Sequence, residues 1–381
     1  MIIHFIHHPV SAKKFVEPLV TAAIDEGFEA QLWIEDRQHL MKFISSISCP
    51  KQFVRFDLKP NLFAMMRDVW YLRRKLRETS PAAVHCHQSR ASFIPLLAAW
   101  LARVPVRIFH NHGAPYLGYR GIKRWAFWLM EYLNCSLATN VLVVAPTIRE
   151  KMIESKIVSA EKSKCLGAGS VCGIDLDEFK IEKFDRETQI SARRKLGIGK
   201  DAFVAFYVGR PFVRKGFNIL LEAWQIFCNS QVETEKVLLV AGCDLNDIIS
   251  AIGFCPIGVL PLGYTEEMEP YYVACDVVSL PSFHEGMPYS LLEGAAAGRL
   301  LVASDIPGID SLIRHNENGL LVEVQRADKL AEAFEQFRAA PELCKRLVSN
   351  ARNDIENLFD RKICVKLLIN YYYNIGLKKK L

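Results

Sequence analysis

Short apolar runs alternate with longer amphipathic stretches along almost the whole chain. In the first half the runs at 2–6, 30–34, 83–85, 106–110 and 141–144 are continuously apolar or nearly so. Such runs predict strands buried on both faces. Between them, 15–26, 62–78, 92–102 and 122–138 repeat apolar residues at helical spacing. Regular alternation of strand and helix predicts a doubly wound parallel sheet. Residues 165–179 break the pattern, and a charged segment follows to about Lys200. A second series then begins, with strands expected at 203–208, 237–241, 259–262, 277–280 and 300–303 and helices at 219–227 and 291–297. The amphipathic segment 362–375 suits a helix returning to the first half. The pattern therefore predicts an α/β protein of two Rossmann-like domains, 1–178 and 201–360, with a linker at 179–200 and a terminal helix in 361–381.

Composition leaves that picture intact and narrows it. With 381 residues, 50% hydrophobic and 24% charged, the chain can build two ordinary cores. No apolar run reaches the roughly 18–20 residues of a membrane span; the closest, 91–102, is interrupted by Ser92, Pro95 and Trp100. The opening Met1-Ile-Ile-His-Phe-Ile lacks a basic leader and a small-residue cleavage site, so a buried strand and a cytoplasmic location are expected. The 11 cysteines form no CxxC and read as reduced thiols. Net charge is only +6, but no Asp or Glu occurs between Thr79 and Met130, where Arg90, Arg103, Arg107, Arg120, Lys123 and Arg124 fall. Arg67, Arg73, Arg74, Lys75 and Arg77 precede them, and Lys378, Lys379 and Lys380 lie near the end. This suits an anionic partner. Residues 118–132 mix such cations with Trp125, Phe127 and Trp128, the composition of a helix at a membrane interface or of an ordinary core-facing helix. No nucleic-acid-binding module is visible, and no nucleic-acid partner is expected.

The candidate chemistry is densest at 284–308. Glu285 follows an expected strand, and Glu293, across a Gly-x-Pro turn from it, is expected in the first turn of the next helix. Two acids at a helix start can be a cap, or can read hydroxyls beside an anion held by backbone N–H groups. Arg210 and Lys215, in Gly-Arg-Pro-Phe-Val-Arg-Lys-Gly after the strand at 203–208, emerge where open α/β sheets bind ligands. They read as a pyrophosphate clamp or as a solvated basic turn. In the first half, His7 and His8, His85 and His87, and His110 and His112 sit in pairs at expected strand ends. A metal site is one reading of these pairs, but no nearby carboxylate is expected to complement them and helical His spacing is absent. For His7, His8 and His87, acceptor contact and polar packing both stay open. Asp175-Leu176-Asp177 lies at the junction between the halves and reads as structural.

Together these motifs resemble the retaining glycosyltransferases of the two-domain GT-B fold, family 4. The resemblance rests on Glu285-x7-Glu293, on Gly209-Arg210…Lys215-Gly216, on Leu262-Gly263-Tyr264-Thr265 and on the His112-Gly113 loop. It implies that Arg210 and Lys215 bind the donor diphosphate, that Glu293 holds the ribose and that Glu285 contacts the donor sugar. Backbone groups of Gly286, Met287, Pro288 and Leu291 would line the sugar and phosphates, Gly263 and Tyr264 the base, and His112 would face the sugar. Catalytic roles thus fall to Glu285, His112, Arg210 and Lys215, and acceptor contact to His7, His8 and His87. The first loop, His8 to Lys13, lacks the Gly-Gly pair of many relatives, which leaves acceptor placement there open. The resemblance further implies metal-independent transfer, with retention, of a hexose or N-acetylhexosamine from a UDP-sugar to a lipid-diphosphate-linked acceptor. The setting would be O-antigen, capsule or exopolysaccharide assembly, at the inner face of the cytoplasmic membrane. A sugar-nucleotide epimerase of the same fold and a non-catalytic basic scaffold at the membrane are the alternatives.

Overall fold

The computed structural model describes residues 1–35, 45–56, 61–229 and 234–379, so Lys380 lies outside the described residues. The chain divides into two compact units, Met1–Gly173 with Arg361–Leu381, and Ile174–Asp360.

The first unit is built on seven parallel strands: β1 (Ile2–Ile6), β2 (Ala30–Glu35), β3 (Lys51–Val54), β4 (Ala83–His87), β5 (Val106–Asn111), β6 (Asn140–Val143) and β7 (Ser163–Lys164). Their order is β3-β2-β1-β4-β5-β6-β7. The direction of winding reverses between β1 and β4, so the carboxyl ends of those two strands flank the crevice where such sheets bind ligands. Both strands are buried along their whole length. Register sets His4 beside His85 and His87 beside His110, all pointing to one face. Helix Arg361–Asn374 packs against helix Glu17–Asp25 and brings the fully buried Tyr372 to the histidines. β3 and β7 have no counterpart in the apolar pattern. One is a half-exposed edge strand of mixed polarity and the other spans two residues.

The second unit repeats the plan with β8 (Phe203–Val208), β9 (Lys236–Ala241), β10 (Val259–Pro261), β11 (Val277–Leu280), β12 (Leu300–Ser304) and β13 (Leu320–Val322), in the order β10-β9-β8-β11-β12-β13. The winding reverses between β8 and β11. Phe203, Trp224, Phe227 and Phe334 form the aromatic centre of one helix layer. Residues 179–200, read from sequence as a linker, carry their own structure within this unit. Asp185 caps helix Arg186–Lys195 by accepting from the Thr188 N–H at 2.7 Å. From that helix the buried Arg193 reaches the Asp276 carboxylate at 2.7 Å and donates to the carbonyls of Ala274, Lys200 and Ala202. A charged segment reads as solvent-facing, yet this guanidinium finds four acceptors inside. Among the described residues no helix is long and apolar enough to cross a membrane, and all 11 cysteines are free.

Candidate active site

In the second unit, the loops leaving β8 and β11 are fastened together. Gly216 stands at φ +68°, and a Cβ there would collide with the Pro281 carbonyl oxygen. Only glycine lets the basic loop lie this close to the one after β11. The Phe283 N–H also donates to the Arg214 carbonyl at 2.8 Å. Lys215 is thereby delivered to Glu285, Nζ to Oε1 at 2.6 Å, with 20% and 11% of the two side chains exposed. Burial alone would raise the Glu285 carboxyl. The charge and hydrogen bond of Lys215 outweigh it and hold the group below the ordinary carboxylate value. Arg210 leaves the same strand end, is exposed, and pairs with no carboxylate among the described residues.

Glu293 sits elsewhere than the sequence suggested. Pro288 is the N-cap of helix Tyr289–Ala296, so Glu293 is the fifth helical residue, in the second turn and not the first. No side chain caps the start of this helix. Instead the Tyr272 hydroxyl donates to Glu293 Oε2 at 2.8 Å, and the carboxylate is almost wholly buried. Burial, with the Glu293 charge beside it, pushes the Tyr272 phenol well up, so Tyr272 is a permanent donor. Gly286, Met287, Pro288 and Leu291 line the turn between the two acids and are all buried. Gly263 follows β10 at φ +64°, its N–H donating to Cys243 and its carbonyl accepting from Gly242, while Tyr264 beside it is 70% exposed. Arg210, Lys215, Gly263, Glu285 and the start of the Glu293 helix thus share the carboxyl edge of one sheet. The sequence places Tyr272 in the segment behind the Gly263 loop but assigns it no site role.

In the first unit His112 and His87 meet, His87 Nδ1 to His112 Nε2 at 3.3 Å. His87 is fully buried, and its other ring nitrogen meets His4. His7 turns away to Glu35, Nε2 to Oε2 at 2.6 Å. The expectation that no carboxylate stands near the histidines is therefore corrected, because pairing of β1 with β2 carries Glu35 alongside. His8 is the N-cap of the turn at Pro9–Ser11 and is partly exposed. The His112 loop is anchored from below: Asn111 accepts from the Gly113 N–H and donates to the buried Glu131, both at 2.9 Å. Burial raises the Glu131 carboxyl to about 7. Two triplets, His4–His85–His87 and His87–His110–His112, bring ligand nitrogens within 4.8 Å of one another and are the residues that could hold a metal ion. Among the basic residues, Arg107 is half-buried, and its guanidinium donates to the Leu137 and Val104 carbonyls.

Comparison with known proteins fits this frame. The model of the family described as Glycosyl transferases group 1 matches residues 188–354, and that of the Glycosyl transferase 4-like domain matches 15–167. The chain is 22% identical over 375 residues to the capsular polysaccharide biosynthesis glycosyltransferase CapM of Staphylococcus aureus, covering 96% of each. It is 26% identical over 310 residues to the Escherichia coli UDP-Gal:alpha-D-GlcNAc-diphosphoundecaprenol alpha-1,3-galactosyltransferase, covering 79% of this chain and 77% of that one. Among solved structures, Anabaena HepE in complex with UDP and glucose superposes with a TM-score of 0.77 at 17% identity, over 98% of this chain and 99% of that one.

Proposed function

The chain belongs to the glycosyltransferases of the GT-B type, family 4, and from that premise we propose that it moves a hexose or N-acetylhexosamine from a UDP-sugar to a sugar on a lipid diphosphate, with retention at the anomeric carbon. The observation that carries the reading is the pairing of Lys215 with Glu285 at the strand end from which Arg210 also emerges. The cations would take the diphosphate and stabilise its charge as it leaves, with no metal required. Glu285, kept ionised by Lys215, would accept hydrogen bonds from the donor sugar's hydroxyls, and Glu293, oriented by Tyr272, from the ribose. Gly263 and Tyr264 would meet the base, and Gly286 through Leu291 would line the sugar and phosphates. His112 would face the donor sugar, with His7 and His8 on the acceptor side; His87, fully buried and with both ring nitrogens spent on His4 and His112, is polar packing instead. In the transfer step the acceptor oxygen bonds to the anomeric carbon as its bond to the phosphate oxygen breaks. The acceptor's proton passes to the departing phosphate. The name of the E. coli relative favours a polyprenyl-diphosphate acceptor, and that of CapM favours capsule assembly.

A membrane-facing role for the first unit is supported by two helices. Leu62, Phe63, Met66 and Trp70 form an exposed stripe on Leu62–Thr79, and Ile122, Trp125, Leu129 and Leu133 form another on Gly121–Leu137. Both helices pack on Ser89–Ala102, and Arg67, Arg73, Lys123 and Arg124 stand among the apolar residues. Apolar insertion and attraction to anionic headgroups act together on such a face.

The test is turnover of a panel of UDP-sugars by purified protein, with and without a polyprenyl-diphosphate sugar in anionic vesicles, in EDTA. Transfer that needs the lipid and yields the donor's own anomer supports the reading. Donor isomerisation without acceptor would favour an epimerase, and absence of donor binding a scaffold. Loss of vesicle flotation in a Trp70→Ser/Trp125→Ser variant checks the membrane face.

A further inference from the structure

Five histidines and one tyrosine in the first unit are joined into an unbranched line of hydrogen bonds. His112 Nε2 meets His87 Nδ1 at 3.3 Å, and His87 Nε2 meets His4 Nδ1 at 3.1 Å. His4 Nε2 meets the Tyr372 hydroxyl at 3.2 Å. That hydroxyl meets His85 Nδ1 at 2.7 Å, and His85 Nε2 meets His110 Nδ1 at 3.2 Å. His4, His85 and His87 each spend both ring nitrogens inside the line. A neutral imidazole has one donor and one acceptor nitrogen, so each ring passes the direction of donation to the next. A protonated ring would face a neighbour's N–H with its own and leave a buried clash of donors.

Tyr372 sets the direction, because it has one proton and two neighbours. Hydroxyl donors run shorter than N–H donors. The 2.7 Å contact is therefore the phenol donating to His85 Nδ1, and the 3.2 Å contact is His4 Nε2–H donating to the phenol oxygen. The rest follows ring by ring. His85 keeps its proton on Nε2 and donates to His110. His4, with its proton on Nε2, accepts at Nδ1 from His87 Nε2–H, and His87 accepts at Nδ1 from His112 Nε2–H.

We propose that Tyr372 is a positioning residue, which through this line fixes His112 as the Nε2–H tautomer and leaves its Nδ1 bare to accept a hydrogen bond from a sugar hydroxyl. The tautomer assignment stands on the geometry of the first unit; the hydroxyl rests on the reading of His112 as a substrate contact. Burial holds all five rings below the ordinary histidine value, His4 and His112 at about 3, which agrees with a wholly neutral line. The same nitrogens could be drawn together on a metal ion, but they would have to give up these bonds to do so.

The experiment is nitrogen-15 NMR of the full chain labelled at histidine, at pH 7.5 without substrate. Wild-type protein is expected to show His4, His85, His87, His110 and His112 all as neutral Nε2–H rings. One Nδ1–H or doubly protonated ring among them overturns the proposal, with no variant needed. Tyr372→Phe keeps the ring volume and removes the hydroxyl; His112 should then populate both tautomers, and a single unchanged tautomer refutes Tyr372 as the source of direction. One equivalent of Zn²⁺ or Ni²⁺ should leave the spectrum unaltered. Tight binding that strips the proton from His87 assigns the cluster to a metal instead. In transfer assays Tyr372→Phe should lower kcat about tenfold at unchanged donor KM. Altered tautomers with unaltered kcat would remove His112 from the substrate while leaving the line itself in place.

Discussion

Removing Lys215 leaves the Glu285 carboxylate nearly buried without its cation, and breaking such a pair costs about 3 kcal/mol. Lys215→Ala should therefore lower both stability in urea and transfer rate, the latter about 100-fold or more if Lys215 also holds the leaving diphosphate. Tyr272→Phe acts on the other acid. It removes the 2.8 Å bond to Glu293 and should raise donor KM roughly fivefold to tenfold with kcat unchanged, measured by steady-state kinetics. Glu131 offers a check on burial. Its carboxyl is raised from 4.5 to about 7, so ionisation is disfavoured in the folded state, and the group withdraws stability as pH climbs through that window. Glu131→Gln should gain about 3 kcal/mol relative to the parent between pH 4.5 and 7, read from urea midpoints at several pH values. At this scale the acids and cations of the candidate site were legible as residue types at telling spacings. Tyr272 and Glu131 were not, because each matters only through a partner that the chain's own spacing does not announce.

Among the elements, two glycines at positive φ separate backbone strain from steric contact. Gly216→Ala meets both the left-handed backbone and the Pro281 carbonyl, and should lower Tm by several degrees and abolish donor binding by calorimetry. Gly263→Ala meets only the backbone, since nothing lies within 4 Å of its absent Cβ, and should cost about 1 kcal/mol. Equal losses in both would refute the close approach of the two loops. The buried parallel strands were legible as apolar runs, since a strand covered on both faces has no polar positions to interrupt it. β3, β7 and β13 escaped because an edge strand of mixed polarity and strands of two or three residues carry no such run. The start of the Glu293 helix was misplaced because Pro288 serves as its cap, so the helical count begins after the turn.

For the molecule as a whole, the histidine line makes the first unit sensitive to acid. Each ring stays neutral when folded but takes a proton near pH 6.5 when unfolded, so the unfolded state binds more protons as pH falls. Five such rings withdraw stability at a limiting rate of about 7 kcal/mol per pH unit, against a typical domain total of about 5–15 kcal/mol. Glu131 opposes this with a single group. The first unit should unfold near pH 5, before the second, whose one such histidine, His284, is lowered to about 4. Circular dichroism with limited proteolysis between pH 7 and 4 checks this, and the expected result is a protected fragment that begins near Ile174. One concerted transition well below pH 4 would contradict it.

The sequence by itself determined the class of the fold, two series of buried strands and amphipathic helices, and the candidate chemistry of each half, because hydrophobic period and residue type are local properties. Tertiary structure alone decided the partnerships: Lys215 with Glu285, Tyr272 with Glu293, His7 with Glu35, and Tyr372 with histidines from separate strands. Parallel pairing joins residues far apart in the chain, and a hydrogen bond has no period along it. His85, His87, His110 and His112, which read as two separate pairs, joined His4 in one directed line only when the sheet set them side by side and the last helix laid a single hydroxyl across them.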